Sequence, residues 1–237
     1  AMGAADVTLF AKWTVNSYTV TYDGNGATSG SPPTISSHNF NTSVTVQGSG
    51  SLAKTGHTFA GWNTKADGAG TQYAAEATFT IGAANVTLFA KWTINDYTVS
   101  FDGNGNDAGS APAAGSHVYN TNVTVPGQGS LTKTGYTFAG WNTKPDGTGT
   151  NYDAGAVFPM GAANLTLYAN WTVNSYPVTY VGNGNDGGSA PTGGNRDYGS
   201  SFMLPDQGSL VKTGYSFVGW NTQADGNGTD YGAGTSF

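Results

Sequence analysis

Residues 18–22 read Tyr-Thr-Val-Thr-Tyr, large apolar side chains alternating with threonine. A period of two is the pattern of a strand with one buried face. Val44-Thr-Val46 shows it briefly, Thr58-Phe-Ala-Gly-Trp62 follows, and Val86-Thr-Leu-Phe-Ala-Lys-Trp92 is the longest such run. Between them lie turn dipeptides such as Asp67-Gly68, which favour tight hairpin loops. No stretch of a dozen residues carries a helical stripe free of glycine, so one short helix or helical turn is the most expected, near residues 36–41 or 73–77. The expected core is Tyr18, Val20, Tyr22, Phe40, Val46, Leu52, Phe59, Trp62, Tyr73, Phe79, Leu88, Phe89 and Trp92.

This pattern is written three times. Trp13, Trp92 and Trp171 are spaced 79 residues apart, as are Trp62, Trp141 and Trp220, and the 237 residues make three such lengths. Regular self-similarity of this kind signals an array of stacked modules. The repeats are expected at 18–93, 97–172 and 176–237, joined by Thr-Val-Asn-Ser or Thr-Ile-Asn-Asp. Four residues span at most about 14 Å, so neighbouring repeats should touch. The expected fold class is mainly β, tandem repeats of 79 residues forming an extended, semi-rigid rod.

The frame is offset from the modules. Residues 1–15 match 80–94, the closing strand of a preceding repeat, while the third repeat reaches Phe237 without a closing strand of its own. Two readings fit: a window cut from a longer array, or head-to-tail strand exchange through residues 1–15. An unpaired sheet edge is a template for the second.

Composition narrows the function. Charged residues are 9% of the chain and the formal net charge is −6, with eight Lys and Arg in all. That leaves no basic face to neutralise phosphates, which argues against nucleic-acid binding. No apolar run approaches the roughly 20 residues that span a bilayer. Aromatics at 13% exclude a disordered linker. Cys is absent, so stability must come from burial alone. Repetition itself favours length over a single well-made catalytic site.

Tyr-Thr-Val-Thr-Tyr-Asp-Gly-Asn-Gly at 18–26, Lys-Thr-Gly-His-Thr-Phe-Ala-Gly-Trp at 54–62 and Leu-Phe-Ala-Lys-Trp at 88–92 together resemble the Listeria–Bacteroides repeat, also called the internalin B-repeat. The resemblance covers essentially the whole chain. In the third repeat Val181 replaces Asp23 and Asp102, and Pro177 replaces Thr19 and Thr98. The resemblance implies a compact β-grasp-like unit within large secreted or surface-anchored bacterial proteins. It also implies a stalk or adhesive spacer with no catalytic activity and no agreed ligand residues.

Candidate chemistry is sparse. His38 and His117 align with Arg196, His57 aligns with Tyr136 and Tyr215, and the single Glu, Glu76, aligns with Gly155 and Gly234. A catalytic constellation would keep its partners in at least one repeat, so no enzyme is expected. Asp102, Asn104, Asn106 and Asp107 form an oxygen-rich loop that is a candidate for calcium. It lacks the full spacing and terminal Glu of a helical calcium hand, and a Gly/Asn turn explains it more simply. A carbohydrate platform would use an aromatic face beside polar groups. The recurring candidates are Trp62, Asn63 and Asp67, then Trp141, Asn142 and Asp146, then Trp220, Asn221 and Asp225. Against this stands the ordinary reading, tryptophans that cap small cores. The expected setting is the bacterial surface or extracellular space. Expected partners are neighbouring repeats, with a host or matrix glycan or protein as a further one.

Overall fold

A computed structural model describes residues 3–237; residues 1 and 2 of the 1–15 segment lie outside the described residues. The first repeat contains β1 (Ser17–Asp23), β2 (Ser36–Asn39), β3 (Ser43–Thr45), β4 (His57–Asn63), β5 (Gln72–Tyr73), β6 (Thr78–Thr80) and β7 (Val86–Ile94). The second contains β8 (Asp96–Asp102), β9 (Gly115–Val118), β10 (Asn122–Thr124), β11 (Tyr136–Asn142), β12 (Asn151–Tyr152), β13 (Val157–Pro159) and β14 (Leu165–Val173). The third contains β15 (Ser175–Val178), β16 (Gly194–Asp197), β17 (Trp220–Asn221) and β18 (Asp230–Tyr231). No helix occurs among the described residues. Where a helical turn was expected at 36–41, β2 pairs antiparallel with β1, and residues 74–77 form a turn after β5.

In the first repeat five strands order as β2-β1-β7-β4-β5, with β3 and β6 forming a separate ribbon. β7 lies at the centre, parallel to β1 and antiparallel to β4. A parallel neighbour requires a crossover rather than a hairpin, and residues 24–85 supply it. The second repeat repeats the plan as β9-β8-β14-β11-β12 with a β10–β13 ribbon. In the third, the described strands pair as β15–β16 and β17–β18, with single bridges between Gly187 and Val211 and between Met203 and Ser236. The chain divides into two compact units, Ala1–Val99 with Ala114–Thr124 and Val157–Leu165, and Ser100–Ala113 with Val125–Ala156 and Thr166–Phe237. The second repeat contributes to both.

A β-bulge sets the core. Phe59 pairs with Trp92 and Trp62 with Ala90, so Ala60 and Gly61 together oppose Lys91. The extra residue breaks the strict alternation and turns both Phe59 and Trp62 inward, with ring centroids 5.2 Å apart. Gly61 is needed there: its φ is +108°, and a Cβ would meet the Tyr73 carbonyl oxygen at 2.6 Å. Gly140 repeats this in the second repeat at the same φ.

The core of the first repeat is Val20, Tyr22, Val44, Val46, Leu52, Trp62, Ile81, Leu88 and Ala90, with Tyr18, Phe59, Tyr73, Phe79 and Trp92 packed around it. Val44, Ile81 and Ala90 were not in the expected set. Phe40, which was, is 49% exposed.

Candidate functional site at the joints between repeats

Only Asn95 separates β7 from β8, and only Asn174 separates β14 from β15. The four-residue linkers are therefore mostly strand, and one asparagine carries each change of direction. Each is held from several sides. The Asn95 backbone N–H donates to the Gly56 carbonyl at 2.9 Å, and its own carbonyl accepts from the Tyr119 N–H at 2.8 Å. Its side-chain oxygen accepts from the Thr58 hydroxyl at 2.8 Å. Asn174 repeats the set with Gly135, Tyr198 and Thr137.

An aromatic plug completes each joint. Tyr119 follows β9, and its ring lies over Gly56 so closely that a Cβ on Gly56 would sit 2.1 Å from it. The ring meets His57 edge-on, with centroids 6.0 Å apart. At the second joint Tyr198 covers Gly135 and meets Tyr136 edge-on at 6.2 Å. Both glycines have positive φ, +68° and +75°, a conformation glycine adopts without steric cost. The aligned Phe40 and Gly214 show the surface without that contact: Phe40 stands exposed, and nothing among the described residues lies within 4 Å of a Cβ on Gly214.

The sequence-derived candidates sit elsewhere. Trp62 and Trp141 are fully buried, and their indole N–H groups donate to the Gln47 and Pro126 carbonyls, each at 2.9 Å. Neither offers a face to solvent. Trp220 makes the equivalent bond to Pro205 but is only half-buried. Asn63 is buried and spends its side chain on the following loop, donating to Gly68 and Gly70 and accepting from Lys65 and Gly70. Asn142 and Asn221 fold the same loop, each accepting from the N–H groups two and seven residues on. Asp67, Asp146 and Asp225 cap the turn by accepting from the N–H two residues on. That backbone bond, with the Thr148 hydroxyl at Asp146 and the Asn227 amide at Asp225, holds these two carboxyls below the usual range.

In the calcium candidate loop, Asp102 accepts from the Asn104 N–H at 2.8 Å. The Asn104 amide bridges the Pro145 and Ala169 carbonyls, both at 2.9 Å. Asn106 donates to Ala108, and Asp107 accepts from the Thr134 N–H. These side chains tie loops together, and among the described residues no group of three or more His, Asp or Glu gathers as a metal site would require.

The model of the Listeria-Bacteroides repeat domain matches residues 18–91, 97–170 and 176–237. The chain belongs to the Listeria–Bacteroides repeat family. It is 40% identical over 209 residues to a protein of Evansella cellulosilytica described as a Gly-rich membrane protein, covering 86% of this chain and 23% of that one. It is 39% identical over 124 residues to Internalin H of Listeria monocytogenes, covering 52% of this chain and 21% of that protein. The chain thus spans less than a quarter of either relative. No solved structure matches it.

Within these Listeria–Bacteroides repeats, the joint residues Gly56, Asn95, Tyr119, Gly135, Asn174 and Tyr198 were not singled out by sequence reasoning. The signal was present: an aromatic recurs at 40, 119 and 198, and an asparagine at 16, 95 and 174. Neither recurrence is needed to fill a core within one repeat.

Proposed function

We propose that the chain is a non-catalytic spacer in a bacterial surface or secreted protein, in which consecutive repeats hold one another in fixed register. The observation that carries this reading is the joint. A one-residue linker whose N–H, carbonyl and side chain are all bonded, covered by an aromatic seated on glycine, transmits position from repeat to repeat. Stability in such arrays is shared between neighbours. The surface setting draws on the membrane-protein and internalin relatives. Neighbouring repeats are each repeat's first partners.

The test is surface display behind a terminal epitope, with one, two or three repeats beneath it. The expected result is a constant gain in epitope height above the cell with each added repeat. Heights independent of repeat number contradict a spacer.

One observation favours a second reading, an adhesin with a weak glycan site in each repeat. Beside Asp67 an open cleft of about 420 Å³ is lined by Asn25, Lys54, Lys65, Lys91 and Trp92. Polar groups around part of an indole suit a sugar, and an array would gain avidity. Binding on a glycan array that disappears when Asp67, Asp146 and Asp225 are all changed to alanine would select this reading over a bare spacer.

A further inference from the structure

The cleft beside Asp67 gathers cationic side chains that are scarce elsewhere. The chain has eight Lys and Arg residues and a formal net charge of −6. Three of the eight, Lys54, Lys65 and Lys91, line this one cleft with Asn25, Asp67 and Trp92. Lys54 precedes β4, Lys65 follows it and Lys91 stands on β7, so the pairing of β4 with β7 brings them together. Three ammonium groups against one carboxylate give the cleft a net positive charge at neutral pH, inside an acidic chain.

The other repeats do not reproduce this set. Lys65 aligns with Lys144 and Gln223, and Lys91 aligns with Asn170. Lys54 aligns with Lys133 and Lys212, but those two are engaged. Each lies over a tyrosine ring, Tyr136 or Tyr215, at 4.9 Å. Each also donates to a loop carbonyl, Asn104 at 3.5 Å or Asn183 at 3.2 Å. His57 stands in place of those tyrosines, and its ring is turned to the Thr55 carbonyl and to Tyr119. Among the described residues Lys54 makes neither the ring nor the carbonyl contact. Lys91 donates to the Gln72 side-chain oxygen at 2.6 Å, which spends one of its three N–H groups.

Asp67 decides what kind of anion fits. Its Oδ1 accepts from the Ala69 N–H at 2.9 Å, and a carboxylate has further acceptor capacity on its second oxygen. That oxygen repels a bare sulfate or phosphate and accepts from a hydroxyl. The half-buried Trp92 adds apolar surface to the wall. A ring that carries both hydroxyls and an acid group satisfies all of these together. The cleft, about 420 Å³, lies within the roughly 300–1,000 Å³ usual for ligand sites.

We propose that the cleft of the first repeat binds an acidic sugar, its carboxylate or sulfate held by Lys54, Lys65 and Lys91 and its hydroxyls by Asp67. This rests on the glycan reading and narrows it to one repeat and one class of sugar.

Titration calorimetry of the full chain with three hexasaccharides tests this: a galacturonate carrying carboxylates, a heparin fragment carrying sulfates, and a neutral glucose oligomer. At least one acidic hexasaccharide should bind about tenfold or more tighter than the neutral one and than inorganic sulfate; the tighter of the two names the acid group. Binding should weaken several-fold as NaCl rises from about 50 to about 500 mM. Lys54→Gln with Lys65→Gln and Lys91→Gln should weaken it by about tenfold or more, at an unchanged melting temperature. Lys133→Gln with Lys144→Gln should change it by less than about twofold. No binding of either acidic hexasaccharide overturns the proposal, as does equal affinity for the neutral one, affinity indifferent to salt, or equal loss in the second-repeat variant. Neutral-sugar binding lost in the triple aspartate variant would keep the glycan reading while this proposal falls, so the two fail separately.

Discussion

Single glycines decide the geometry of the joints. Gly56, Gly135 and Gly214 share one turn and a left-handed φ, but Tyr119 and Tyr198 press on the first two and nothing presses on the third. An alanine costs about 1–2 kcal/mol for the left-handed backbone at each. Gly135→Ala should therefore destabilise distinctly more than Gly214→Ala in thermal melts; equal losses would deny that Tyr198 is seated there. Trp62→Ala should cost about 3–5 kcal/mol, the range for a large core aromatic. An unchanged melting profile would refute its core role.

Asp107 and Asp186 give the residue scale a pH dependence. The Thr134 and Thr213 N–H groups, helped by their hydroxyls and by Lys133 and Lys212, hold these carboxyls below the usual carboxylate range against an opposing desolvation. A lowered folded pKa means that the stabilisation is complete above the unfolded-chain value and is lost as pH falls through the folded one. Acid titration of stability should thus be shallower in Asp107→Asn with Asp186→Asn than in the parent chain.

At the scale of elements, the closing strand organises each repeat. Asn25 ties it to the 63–70 loop through two bonds, and Asn183 has only the loop bond. Each net bond is worth roughly 0.5–1.5 kcal/mol, so Asn25→Ala should cost more than Asn183→Ala by about one such increment, read by denaturant unfolding. The alternating apolar runs made β1, β4 and β7 legible in the sequence. β2, with Ser-Ser-His-Asn, and the two-residue β5 were not, because their polar sequences carry no period and their pairing comes from neighbours. The bulge was written only as Gly61, whose φ no local pattern announces. The tryptophans illustrate the same limit. Beside Asn and Asp they read as well for a sugar platform as for a core, and only the bulge turns Trp62 inward.

For the whole molecule, the threefold repeat was plain in the spacing of the tryptophans, and the resemblance to the family lay in the motifs at 18–26, 54–62 and 88–92. The joints were not, because the contact of Tyr119 with Gly56 spans 63 positions and joins two repeats, where within-repeat patterns say nothing. The central claim is that these joints fix consecutive repeats. The chain has no cysteine, so labels can be placed cleanly at the exposed Ala83 and Ala162, equivalent sites in the first two repeats. Pulsed electron–electron resonance between them should give one narrow distance population that broadens when Tyr119→Ala removes the plug. A broad distribution in the parent chain, unchanged by that substitution, would contradict the account.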